Sequence, residues 1–166
     1  RVAAALRCAC DSHFAQFFES EGFLVETLAG WLAEGIARGE GGVVIANAEQ
    51  VLSLGEALLR LGHDMQALRE SGQLRVLDAH DVLDDVVLAE VPDEARFDAV
   101  VGDALREAAA RFPQVRVYSG LGALLAQQGL VELADRIEGA WNALRARRPF
   151  ALFCGYPIAP FAGESY

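Results

Sequence analysis

With 166 residues, 53% of them hydrophobic, the chain holds enough apolar side chains for one domain with its own core and is short for two. Its 14 basic and 24 acidic residues give a net charge of −10, which repels phosphate backbones and anionic membrane surfaces and argues against nucleic acid or membrane as a direct partner. No apolar run approaches the roughly 20 residues of a membrane helix, and 3 cysteines in a chain that builds its own core indicate no disulfide framework, so a reducing cytoplasm is the expected location.

Residues 1–12 read as an Ala-rich N-terminal extension carrying Cys8 and Cys10. His13 to Phe18 (HFAQFF) reads as a first strand, rich in aromatics. Ser20 suits the cap of a helix whose face carries Leu24, Leu28, Trp31, Leu32 and Gly35, closed by Gly39. Val43 to Ala46 is apolar throughout, as buried parallel strands are. Asn47 then caps a second helix with the stripe Val51, Leu54, Leu58 and Leu61, and Gln50 completes a pair resembling a capping box. A short helix over Asp64 to Glu70 precedes a third strand, Leu74 to Leu77. The acidic piece DVLDDVVLAEVPDEA reads as a short helix and a mobile loop, after which Phe97, Val100, Val101, Leu105 and Ala108 restore a helical stripe up to Pro113. Val115 to Tyr118 is a fourth strand. One long amphipathic segment with Leu130, Leu133, Ala134, Ile137, Trp141 and Leu144 on a face follows, and a fifth strand, Phe150 to Cys154, closes the pattern. Residues 13–161 make the domain and 162–166 a tail; the start at Arg1 and the close at Tyr166 read as cuts through a longer polypeptide.

Strands alternating with helices predict an α/β fold in three layers, a mainly parallel sheet of about five strands with helices on both faces. Ligands in such folds sit outside the carboxyl ends of the strands. That rule selects Glu19 and Ser20, Asn47, Asp78 and His80, Tyr118 and Ser119, and Cys154 to Tyr156.

No phosphate loop follows the first strand: FESEGFLVET has one Gly, no Lys and several glutamates where phosphate needs positive charge. Gly39 to Gly42 precedes a strand, the wrong context. Cys8, Cys10 and His13 form a CxCxxH set with no second ligand pair, so small apolar cysteines are the competing reading and no resident metal is expected. Asp78 and His80, two apart, share a face if the strand continues, which suits acid/base work; Asp after a strand also caps the next helix. Ser119 in YSGLG lacks the Gly two residues before it that a nucleophile elbow carries. Arg116, sharing a strand face with Tyr118, needs a buried carboxylate such as Asp78 or Glu138, or an anionic ligand. Trp31 and Trp141 lie on apolar stripes and read as core. Phe17, Phe18, Phe153 and Tyr156 either join the core or line an apolar pocket at the end of the sheet.

The blocks HFAQFFES, LAEGIARGEGGVVIAN, LRVLDAHDVL, VRVYSGL and RIEGAWNALRARRPFALFCGYP, in this order, resemble the successive signatures of the MEDS sensory domain across nearly all of residues 13–161. The resemblance implies a RecA-like or KaiC-like core without a working Walker motif. It also implies a place in sensor histidine kinases or transcription regulators, sensing small molecules such as hydrocarbons or their derivatives. The family-like positions are His13, Glu40, Asp78, Arg116, Tyr118, Glu138, Trp141, Asn142, Cys154 and Tyr156. Where the family commonly carries Gly-Glu-Met after the Arg-x-Tyr strand, this chain has Ser119, Gly120 and Leu121, so the carboxylate is missing and Glu138 or Asp78 would have to compensate.

The expectation is therefore a non-catalytic cytoplasmic sensory module that takes a small organic ligand, uses no cofactor, passes its signal to a fused kinase or DNA-binding effector, and has the option of forming a homodimer. The ligand-binding set is Asp78, Arg116, Tyr118, Ser119, Tyr156, Glu19, Asn47 and His80. A protein-interaction or dimerisation scaffold with a degenerate nucleotide fold is the alternative, and a residual nucleotide hydrolase using Asp78 and Glu19 the third reading.

Overall fold

Five short polar side chains turn extended chain into helix. Ser20 accepts from the Phe23 amide at 3.2 Å, Asn47 from Gln50 at 2.8 Å, Asp64 from Gln66 at 2.9 Å, Asp78 from Asp81 at 3.0 Å and Asp93 from Arg96 at 2.9 Å, each satisfying a donor that has no partner inside its helix. The computed structural model describes residues 13–158. In chain order they form β1 (His13–Phe18), α1 (Glu21–Ala37), β2 (Gly41–Ala46), α2 (Ala48–Arg60), α3 (Met65–Glu70), β3 (Leu74–Asp78) and α4 (Ala79–Val86). The hairpin β4 (Val87–Leu88) and β5 (Val91–Pro92) follows, then α5 (Glu94–Phe97), a π-helical turn (Asp98–Gly102) and α6 (Asp103–Arg111). β6 (Val115–Ser119), α7 (Leu121–Gln127), α8 (Val131–Arg147) and β7 (Ala151–Pro157) complete them.

The five main strands pair in parallel in the order β1-β7-β6-β2-β3. Every connection is a helical crossover, which is how parallel neighbours are joined. Alternation along the strands divides the core. Val43, Ile45, Val117, Leu152, Cys154 and Tyr156 face α4 to α8, and Val44, Ala46, Tyr118 and Phe153 face α1 to α3. The expected α/β sandwich with helices on both faces is thus the observed fold.

Two details differ from the reading of the sequence. The acidic segment after α4 is a tight hairpin instead of a loop. Ala89 and Glu90 take its turn at φ 49° and 65°, the primed-turn backbone that matches strand twist and that Asn-Gly normally announces. The long amphipathic segment before β7 is two helices, divided where Gly129 adopts φ 77°. None of the helices among the described residues is long and apolar enough to cross a membrane.

Candidate functional site

A parallel sheet brings all its strand ends to one rim, here Phe18, Ala46, Asp78, Ser119 and Pro157. Glu19 leaves β1 at one edge of the sheet and Asp78 ends β3 at the other. Four strand intervals of about 4.8 Å separate them by roughly 19 Å, so the two carboxylates do not meet at one reacting atom. Asn47 and Asp78 are committed as caps of α2 and α4. His80 stands exposed in the first turn of α4. The expected shared face of Asp78 and His80 is not formed, because the strand stops at Asp78 and residues two apart on a helix diverge.

Arg116 lies near the start of β6, away from that rim, and is 7% exposed. Its Nε donates to Glu40, its Nη1 donates to the Trp31 carbonyl at 2.8 Å, and the guanidinium sits 5.5 Å from the centre of the Trp31 ring. An internal ion pair holds it, with Glu40 in the place where Asp78 or Glu138 was expected. Ser119 is equally engaged: its Oγ accepts from Trp141 Nε1 at 3.2 Å and from the Leu121 amide at 3.3 Å.

Tyr118 differs. It is wholly buried at the carboxyl end of β6, and its hydroxyl has no hydrogen-bond partner of ordinary geometry among the described residues. Gln50 stands beside it but commits its Nε2 to Glu21 at 2.7 Å. Burial, and then the charge of Glu21, push the Tyr118 phenol above its ordinary range, with Gln50 opposing only in part. Two glycines admit the ring. A Cβ on Gly155 would lie 3.3 Å from the hydroxyl; one on Gly120 would lie 3.6 Å from it and 3.3 Å from Gln50 Oε1. The Ile45 carbonyl also lies 3.2 Å from the Gly120 Cβ position, so glycine there marks close packing of β6 against the end of β2. Beside Gln50 and Gly120 lies a recess of about 10 Å³, room for roughly one water, lined also by Asn47, Ala79, Ala123, Leu124 and Gln127 but not by Tyr118 itself.

On the opposite face of the sheet Tyr156 joins a second polar group. Its hydroxyl donates to Glu138 Oε1, and Glu138 Oε2 lies 3.1 Å from His13 Nε2 and 3.8 Å from Cys154 Sγ. His13 Nδ1 meets Asn142 Oδ1 at 3.1 Å. Gly122 makes room for the Tyr156 ring, since a Cβ there would stand 2.3 Å from the hydroxyl. Burial raises Glu138, but hydrogen bonds from His13 and Tyr156, with the His13 charge and the Cys154 thiol, outweigh it and hold the carboxyl below its usual range. The Tyr156 phenol and the Cys154 thiol are pushed up, by burial first and then by the neighbouring Glu138 carboxylate.

Of the residues selected from the sequence, the rim thus brings Asn47 close to Tyr118, through Gln50, and sends Tyr156 to the other face. Phe18, Phe153 and Tyr156 are buried, and Phe17 is 55% exposed with its ring tilted against that of Tyr156 at 5.7 Å between centres. Cys8 and Cys10 lie outside the described residues. Larger recesses lie away from Tyr118: about 510 Å³ between the β4–β5 hairpin and the start of α8, about 530 Å³ beside β3 and α6, and about 610 Å³ between α2 and α3. Sequence reasoning missed Glu21 and the part played by Gly120 and Gly155. Glycine directly after one strand and within the next was the available signal, because it marks close approach of a neighbour.

Residues 12–165 match the family described as the MEthanogen/methylotroph, DcmR Sensory domain, abbreviated MEDS. No curated protein matches the chain.

Proposed function

We propose a receptor role on the premise that the chain belongs to the MEDS family of sensory domains. In this reading the domain takes a small organic molecule at the rim above Tyr118, turns nothing over, requires no cofactor, and passes the change to a fused kinase or DNA-binding effector. One observation carries it: the Tyr118 hydroxyl is buried without a partner at the strand ends. A buried unsatisfied hydroxyl costs about 1–3 kcal/mol, and a ligand that brings a hydrogen-bond partner recovers part of that. The recess holds about one water, so entry requires Gln50 to swing aside and release Glu21, which links α2 to α1. That movement gives the two states between which a ligand shifts the balance by its differential affinity.

A thermal-shift screen of small alcohols, amides, carboxylic acids and nucleotides, run on the natural chain and on Tyr118→Phe, tests the reading. The expected result is a rise in Tm with at least one small polar organic and no rise with nucleotides, the effect disappearing in Tyr118→Phe. A screen in which no compound raises Tm, or in which Tyr118→Phe responds in full, removes the receptor reading.

A second reading, self-association, is favoured by Leu52 and Leu59, which are 71% and 64% exposed and lie seven residues apart on one side of α2. A monomer on sizing at every concentration tried excludes it.

A further inference from the structure

His13, Glu138 and Cys154 converge on one point between β1, β7 and α8. Glu138 Oε2 stands 3.1 Å from His13 Nε2 and 3.8 Å from Cys154 Sγ, and the three donor atoms all lie within 4.8 Å of one another. Donors around a tetrahedral zinc ion, bonded at 2.0–2.3 Å, stand about 3.3–3.8 Å apart. Shifts below roughly 1 Å bring these three to that spacing, and imidazole, carboxylate and thiolate are the ligand types such an ion takes.

The outer partners of these groups suit a bound cation. His13 Nε2 is buried and 3.1 Å from Glu138 Oε2, close enough to hold the carboxylate although the contact is not aligned as an ideal hydrogen bond. Asn142 Oδ1 lies 3.1 Å from Nδ1, and in the tautomer that donates to it the Nε2 lone pair is available to a cation beside Glu138. Tyr156 meanwhile fixes Glu138 through its other oxygen, leaving Oε2 for the centre. An acceptor on the remote nitrogen of the histidine and a donor on the remote carboxylate oxygen are the outer partners that orient metal ligands.

We propose that His13 Nε2, Glu138 Oε2 and Cys154 Sγ form a three-ligand site for a zinc-class divalent cation, with a fourth position for water or an exogenous ligand. Binding replaces the Cys154 thiol proton, which leaves to solvent, so carboxylate and thiolate together neutralise the ion. The site is separate from the Tyr118 rim, across the sheet, and stands or falls without it.

Cobalt(II) titration of the metal-free chain tests the proposal, because a cobalt–thiolate bond has its own absorption band. One equivalent is expected to give that band and the visible bands of tetrahedral cobalt. Cys154→Ser should abolish the thiolate band, and His13→Gln, which removes a ligand, should weaken binding by more than the roughly 10- to 100-fold that loss of an outer partner costs. The Cys8→Ala/Cys10→Ala double variant should bind as the natural chain does. Zinc should raise the Tm of the natural chain and of the Cys8/Cys10 variant; if Cys154→Ser does not fold, His13→Gln at the strand start carries the comparison. No thiolate band in the natural chain, or a band that survives Cys154→Ser and is lost with Cys8→Ala/Cys10→Ala, overturns the site.

Discussion

Gly35 of α1 and Arg116 of β6 touch so closely that a Cβ on Gly35 would stand 2.6 Å from Arg116 Nε and 2.8 Å from Glu40 Oε2. The glycine is therefore part of the housing of the buried ion pair. It is also a helix-interior glycine, which propensity alone would replace with alanine for a gain of about 0.5–1 kcal/mol. Gly30, earlier on the same helix, has no atom within 4 Å of the point where a Cβ would stand, and it offers the internal control. Gly30→Ala should raise stability by about that amount, whereas Gly35→Ala should lower it by about 1–3 kcal/mol through overpacking. Urea midpoints of the two variants check the opposite signs; equal signs would mean that Arg116 relaxes freely.

Removing one member of the Arg116–Glu40 pair leaves a buried charge. With Glu40 6% and Arg116 7% exposed, Glu40→Ala should cost about 3–5 kcal/mol. That is a large share of the roughly 5–15 kcal/mol a domain has. Glu40→Ala/Arg116→Met should recover most of the loss, since it removes both charges. Denaturant unfolding of the single and double variants measures the difference.

Tyr118→Phe should be neutral or stabilising in the absence of ligand, by up to about 1 kcal/mol, because it deletes a buried hydroxyl that lacks a partner. Buried tyrosines that are hydrogen-bonded lose stability on the same change. A clear loss here would assign the hydroxyl to Gln50 and take the anchor away from the proposed ligand.

Glu138 provides a pH dependence with a definite sign. Its carboxyl is held below the ordinary value of 4.5 in the folded chain, so the unfolded chain takes up the proton first as pH falls. The stabilisation is fully present above about 4.5 and is lost as pH drops below that toward the folded value. Glu138→Gln should flatten this part of the curve. The difference in urea midpoint between the natural chain and Glu138→Gln, followed from pH 7 to pH 3, reports it; parallel curves would show that Glu138 titrates as it does unfolded.

Much of the fold was legible because it depends on local and periodic features. The caps Ser20, Asn47, Asp64 and Asp78, the apolar runs of β2 and β6 and the stripe of α8 are short-range patterns, and their alternation leads to a covered parallel sheet. The β4–β5 hairpin escaped because Ala89 and Glu90 hold a positive-φ turn without the residues that usually signal it. The site was legible only as a rim. Asp78 and Asn47 are named by the strand-end rule, but whether such a side chain is free or spent on a cap depends on where the following helix begins.

The sequence by itself determined the class of fold, the five strands of the main sheet and the family, because hydrophobic period, caps and ordered motif blocks are carried by neighbouring residues. Tertiary structure alone decided that Arg116 meets Glu40 from 76 positions away, that Tyr118 is left without a partner, and that His13, Glu138 and Cys154 share one point. Those facts turn on strand order and on which face each side chain takes. Strand order is set by the packing of the whole sheet, and no local stretch of sequence encodes it.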